Sequence, residues 1–171
     1  MKKALIIDLD NTIYSVKSIG DKLFKPLFEL MDQYRSGMSE EDLSNAKKDI
    51  MRRPFQKVAD DYGFSKELTN KGTELLKELT YDYKMEPFKE YQVIKDYPAD
   101  KFLVTTGFIK MQQSKIKNLG IAGDFKEIFI VDPETTEKSK KDVFLEIMKK
   151  YNYKTHEILI IGDDPESEIN A

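Results

Sequence analysis

Apolar residues fall along this chain in two rhythms. Four short continuous runs, Ala4-Leu5-Ile6-Ile7, Phe102-Leu103-Val104, Ile128-Phe129-Ile130-Val131 and Ile158-Leu159-Ile160-Ile161, are too brief for helices and do not alternate with polar residues. Runs of this kind suit strands buried on both faces of a parallel sheet. Between the later runs the rhythm changes to helix spacing. Residues 111–120 end at Gly120, a candidate C-terminal cap. Residues 139–152 begin with Ser139 and Asp142, close to a capping box, and carry Phe144, Ile147, Met148 and Tyr151 on one face. Strand and helix alternate, which predicts an α/β fold around a parallel sheet.

The stretch from 15 to 90 has a different character. It predicts helices over about 20–35, 39–62 and 65–83, with Ser39 and Asp42 forming another candidate cap. Pro54 is expected to end or kink the second of these. Leu23, Leu27, Leu30 and Met31 recur at helix spacing and read as core. The expected organisation is therefore an α/β core domain built from 1–14 and 91–171, interrupted by an α-helical unit over 15–90.

Composition narrows the function classes. At 171 residues the chain can form one good core, or a core carrying an insertion. An apolar content of 40% with 35% charged residues reads as globular rather than disordered. No apolar run is long enough to span a membrane, and Met1-Lys2-Lys3 leads straight into a short strand-like run rather than a signal sequence. Cysteine is absent, which excludes disulfides, thiolate catalysis and cysteine metal sites. A cytoplasmic location is the expectation. The 28 basic and 31 acidic residues are well mixed, which argues against a nucleic-acid groove. The lone histidine, His156, reads as a solvent-side loop residue.

The candidate chemistry sits at the C-terminal ends of the apolar runs. The first run leads into Asp8, with Asp10 two residues on, the second into Thr105-Thr106-Gly107, the third into Asp132 and the fourth into Gly162-Asp163-Asp164. In open parallel sheets the ligand crevice lies outside the carboxyl ends of the strands, so these groups are expected to converge on one edge. Asp8, Asp10 and Asp163 would repel one another unless a hard cation sat among them. Mg²⁺ is the expected ion, because it takes one or two carboxylates, keeps waters and pairs with phosphate. A carboxylate beside it can attack phosphorus, and a second carboxyl two residues on could protonate the leaving oxygen and then activate water. Thr105 would supply a hydroxyl to the phosphoryl group and Lys140 a fixed cation.

These motifs resemble those of the haloacid dehalogenase superfamily of phosphohydrolases. DLDNT at 8–12 is similar to its first motif, FLVTTGF at 102–108 to its second, SKKDVF at 139–144 to its third and ILIIGDDPESEI at 158–169 to its fourth. The resemblance covers 1–14 and about 95–171. It implies a Rossmann-like parallel-sheet core with an α-helical cap inserted after the first motif. It also implies Asp8 as nucleophile and metal ligand, and Asp10 as general acid/base that gives its backbone carbonyl to Mg²⁺. Thr105 matches the phosphate-binding hydroxyl, with Thr106 and Gly107 beside it; relatives often have Asn at the position of Thr106. Asp163 matches the metal-ligand acid, supported by Asp164 or Glu168. The phosphate-binding lysine is Lys140 or Lys138, depending on how the third motif is aligned.

An acid at position 10 favours phosphoester chemistry over removal of halide from carbon. The expected substrate is a small phosphorylated metabolite: a sugar phosphate, phosphoglycolate or a nucleoside monophosphate. A phosphomutase, or a non-catalytic member of the family, is the alternative. A receiver-type phosphoacceptor is disfavoured, because its acceptor acid should come after a middle strand. In the cap, Arg52 and Arg53 could meet an anionic substrate group, although a solvated helix face is the readier explanation. The sequence stops at Ala171, a turn or so past the fourth motif, where relatives continue with a helix and usually another strand. The expectation is a truncated chain, or a sheet face covered by a partner such as a second copy in a homodimer.

Overall fold

The four apolar runs form four parallel strands, β1 (Ala4–Ile7), β2 (Asp100–Thr106), β3 (Glu127–Val131) and β4 (Ile158–Ile161), in the order β3-β2-β1-β4. The computed structural model describes residues 2–35, 37–165 and 168. The end of the fourth motif at Glu166, Ser167 and Ile169, and the expectation attached to Ala171, lie outside the described residues. The architecture is an α/β, Rossmann-like sheet flanked by helices. Register aligns the strand ends: Ile7 lies opposite Leu103 on β2 and Ile161 on β4. The Asp8 amide extends this ladder to the Ile161 carbonyl at 2.9 Å. The side chains that leave the sheet at these ends therefore start from one edge.

Eight helices accompany the strands among the described residues: α1 (Gly20–Leu23), α2 (Lys25–Tyr34), α3 (Glu40–Ile50), α4 (Phe55–Asp61), α5 (Lys66–Glu78), α6 (Tyr91–Asp96), α7 (Ile109–Leu119) and α8 (Lys140–Tyr151). The chain divides into two units, Met1–Ser15 with Asp82–Ala171, and Val16–Tyr81. In the first, alternate residues Ala4, Ile6, Phe102, Val104 and Ile158 turn one sheet face onto Val143, Phe144 and Ile147 of α8. Leu5, Ile7 and Leu103 are buried as well, as the absence of alternation predicted.

The second unit is helical, with its own buried residues, Leu27, Met31, Leu43, Ile50, Phe55, Val58, Leu68 and Leu76 among them. Two of its expected long helices are broken. The segment 20–35 breaks at Phe24, where Pro26 opens α2, and 39–62 breaks before Pro54, the residue preceding α4. Ser39 and Ser65 cap α3 and α5 by accepting the Asp42 and Leu68 amides. Gly72 on α5 has a packing reason: a Cβ there would lie 2.4 Å from Cζ of the buried Phe55 ring.

Candidate active site

Asp8 leaves β1 into a buried position, 6% exposed. The side chain that meets it comes from the start of α8. Ser139 caps that helix and Asp142 returns the bond to the Ser139 amide at 2.8 Å, completing a capping box. Lys140, the first residue inside the box, sends its ammonium to Asp8 Oδ1 at 2.6 Å and to Glu168 Oε1 at 2.5 Å. Lys138, two residues earlier, pairs at the surface with Glu146 at 2.6 Å. Of the two lysines the sequence left open, Lys140 is thus the one beside Asp8. Burial pushes the Asp8 carboxyl up to about 7, against the pull of Lys140. Burial also works against the Lys140 charge, but Asp8 and Glu168 outweigh it and hold the ammonium above its usual range. Among the described residues, Lys140 is the one donor to the Asp8 carboxylate, at Oδ1, which leaves Oδ2 for chemistry.

Asp10 is gripped differently. The Lys115 ammonium lies 2.9 and 3.2 Å from its two oxygens, Gln112 donates to Oδ2 at 2.8 Å and the Tyr14 hydroxyl donates to Oδ1. Burial alone would raise this carboxyl, but the Lys115 charge and the hydrogen bonds from Tyr14, Gln112 and Lys115 hold it below the usual carboxylate range. Thr105, 1% exposed, accepts from Gln112 at 2.7 Å through Oγ1. Asp8, Asp10, Thr105 and Lys140 are therefore linked to one another through Lys140, Gln112 and the strand ends.

Gln112 and Lys115 were missed in the sequence. The available signal was their spacing, because with Ile116 and Leu119 they occupy the buried stripe of α7. A glutamine and a lysine at such places look like solvent-facing positions until the side of the helix that meets the sheet is known.

The remaining candidates are more scattered. The Thr106 carbonyl accepts from Gln112 at 3.2 Å, and the Gly107 amide is committed to the Val131 carbonyl at 3.0 Å. Gly107 has φ of +148°, and a Cβ there would crowd Gln112 at 3.1 Å, so the close approach suits glycine. Asp132, buried, is structural: it accepts the Ile109 amide at 3.2 Å and so caps α7 from another element. Asp163 is largely exposed and takes a hydrogen bond from Asn11; partial desolvation of its carboxyl and the nearby Glu168 raise its pKa. Gly162 lets Glu168 fold over it, since a Cβ would lie 2.5 Å from Glu168 Cγ. Arg52 and Arg53 belong to the helical unit, where Arg53 is paired with Asp49 and Asp61.

The donor set suits a hard divalent cation. Asp10 and Lys115 offset each other, whereas Asp8 and Glu168 share the ammonium of Lys140 and Asp163 lies within its electrostatic reach, so acids outnumber cations there. Among the described residues no three acidic or imidazole groups close on one point, so side chains alone do not form a complete metal shell.

The model of the haloacid dehalogenase-like hydrolase family matches residues 2–171, and the chain belongs to that family. Solved structures share the fold. A haloacid dehalogenase-like family hydrolase from Streptococcus pneumoniae aligns at 18% identity and a TM-score of 0.67, over 95% of this chain and 76% of its own. A candidate phosphatase from Clostridium difficile aligns at 17% identity and a TM-score of 0.66, over 97% and 78%. A candidate hydrolase of the family, YfnB from Bacillus subtilis, described as bound to magnesium, aligns at 20% identity and a TM-score of 0.60, over 99% and 83%. No curated protein sequence matches the chain.

Proposed function

We propose that this chain is a Mg²⁺-dependent phosphohydrolase of a small phosphorylated metabolite, working through an aspartyl-phosphate on Asp8. The observation that carries the reading is the buried Asp8 carboxylate, with Lys140 on one oxygen and the other oxygen left for attack. In the first step Asp8 Oδ2 bonds to phosphorus as the bond to the leaving oxygen breaks, and Asp10 gives that oxygen a proton. Lys140 and the Thr105 hydroxyl hold the oxygens of the moving phosphoryl group. In the second step Asp10 takes a proton from water, whose oxygen attacks phosphorus and frees Asp8 and inorganic phosphate. The ionised Asp10 is ready for this second step. For the first it must be loaded with a proton, which a phosphate monoester, with a second pKa near ~6, can bring.

Asp8, the Asp10 backbone carbonyl and Asp163 would hold Mg²⁺, which when bound polarises a phosphoryl oxygen and offsets the excess negative charge. The magnesium described for YfnB and the description of the Clostridium difficile protein support the same reading. The helical unit Val16–Tyr81, inserted after the first motif, is assigned the selection of the substrate's remaining part. Among the described residues no ion pair engages the exposed Arg52, which makes it a better candidate than Arg53 for an anionic group.

The test is phosphate release from p-nitrophenyl phosphate, with Mg²⁺ and with a chelator. The expected result is metal-dependent turnover that falls by ~10⁴-fold or more in Asp8→Asn. Turnover that survives the substitution would remove Asp8 from the mechanism.

A further inference from the structure

Gln112 and Lys115 take no part in the two chemical steps, yet they are 1% and 3% exposed. Burying an amide and an ammonium is unfavourable unless their partners repay the lost hydration, and apolar side chains would fill the same space without that loss. The Gln112 Oε1 is buried with no hydrogen-bond partner among the described residues, so this amide is not optimised for stability. The donors of both side chains point one way. Lys115 reaches both oxygens of Asp10 at 2.9 and 3.2 Å, and Gln112 Nε2 reaches Asp10 Oδ2 at 2.8 Å, Thr105 Oγ1 at 2.7 Å and the Thr106 carbonyl at 3.2 Å.

We infer that Gln112 and Lys115 are positioning residues for phosphoryl transfer: Lys115 fixes the Asp10 carboxyl, and Gln112 couples that carboxyl to the Thr105 hydroxyl. The inference rests on the proposed roles of Asp8, Asp10 and Thr105. Gln112 sets a direction as well as a place. Its N–H occupies a lone pair of Thr105 Oγ1, so the threonine's own O–H remains a donor for the phosphoryl oxygen. A carboxylate at 112 would reverse this, because it would accept the Thr105 proton and repel Asp10. Lys115 is held by its helix against both oxygens of the Asp10 carboxyl, and the proton that Asp10 transfers then leaves from a fixed orientation.

Two aryl phosphates separate this role from packing. Acid assistance matters most for a poor leaving group, so phenyl phosphate depends on Asp10 more than p-nitrophenyl phosphate does. Lys115→Met is expected to lower kcat/KM for phenyl phosphate ~10- to 100-fold more than for p-nitrophenyl phosphate, and Lys115→Arg to recover most of the difference. Gln112→Glu, nearly isosteric, is expected to lower both by about 100-fold or more, because both substrates share the phosphoryl group that Thr105 meets, with phenyl phosphate losing the more because Asp10 is disturbed as well.

Equal losses on both substrates in a folded Lys115→Met, or full activity in Gln112→Glu, would overturn the inference. Asp10→Asn locates the failure. If it discriminates between the substrates and Lys115→Met does not, only the inference falls; if Asp10→Asn does not discriminate, the reading of Asp10 falls with it. Should the wild-type chain turn over neither substrate, the side-chain amide resonances of Gln112 decide. They must shift in Asp10→Asn and in Thr105→Val, and unmoved resonances would refute the coupling.

Discussion

Lys140 stands between two buried carboxylates, and removing it would take its ammonium from both. Lys140→Met is therefore expected to destabilise the fold by roughly 3–5 kcal/mol, measured from guanidinium unfolding midpoints. Lys138→Met removes only an exposed pair with Glu146 and is expected to shift stability by about 0.5 kcal/mol or less. Equal losses in the two variants would contradict the assignment. At this scale the sequence was partly readable. Asp8, Asp10 and Thr105 could be picked out because each comes after an apolar run, and the end of a parallel strand is where chemistry gathers. The choice between Lys140 and Lys138 turned on how the third motif is aligned, and it is the contact across the fold to Asp8, which no local pattern shows, that separates them. Gln112 and Lys115 were invisible because their residue types say solvent, while their helix face says core.

The elements themselves were legible in kind and less so in extent. β2 runs from Asp100 to Thr106, although only its buried middle is apolar, because ladder pairing with β1 continues through Asp100 and Lys101. α7 begins at Ile109, before the periodic stretch, because Asp132 at the end of β3 supplies its cap. No local pattern could announce a cap delivered from a residue that distant in sequence.

A similar device leads into β4. Glu157 accepts the Lys154 amide at 2.9 Å and pairs with Lys3 at 2.6 Å. The Lys154 amide and then Lys3 depress its carboxyl to about 2, from 4.5. A depressed acid favours the fold when ionised, so this contribution is full above about 4.5 and lost as pH falls toward 2. Wild type is expected to lose more stability than Glu157→Gln across that window in urea titrations at each pH, and parallel profiles would refute the contact's role.

At the scale of the molecule, a helical unit interrupts an α/β unit directly after its first strand and first motif. A change of hydrophobic period, from short solid runs to helix spacing, led to the expectation of an insertion over 15–90, whereas the compact helical unit is Val16–Tyr81. The charge balance of the site was not readable, because it depends on which acids share Lys140 and which is offset by Lys115. No helix among the described residues is long and apolar enough to cross a membrane.

The central claim is that phosphorus bonds covalently to Asp8. Asp10→Asn should slow the second step, which needs a base, more than transfer from p-nitrophenyl phosphate, whose leaving group needs little protonation. The most direct measurement is the peptide mass of this variant, quenched in acid during reaction with p-nitrophenyl phosphate and Mg²⁺. The account predicts one added phosphoryl group, mapped by fragmentation to Asp8. Release of p-nitrophenol with no phosphoryl group on the protein, or with one on another residue, would contradict it.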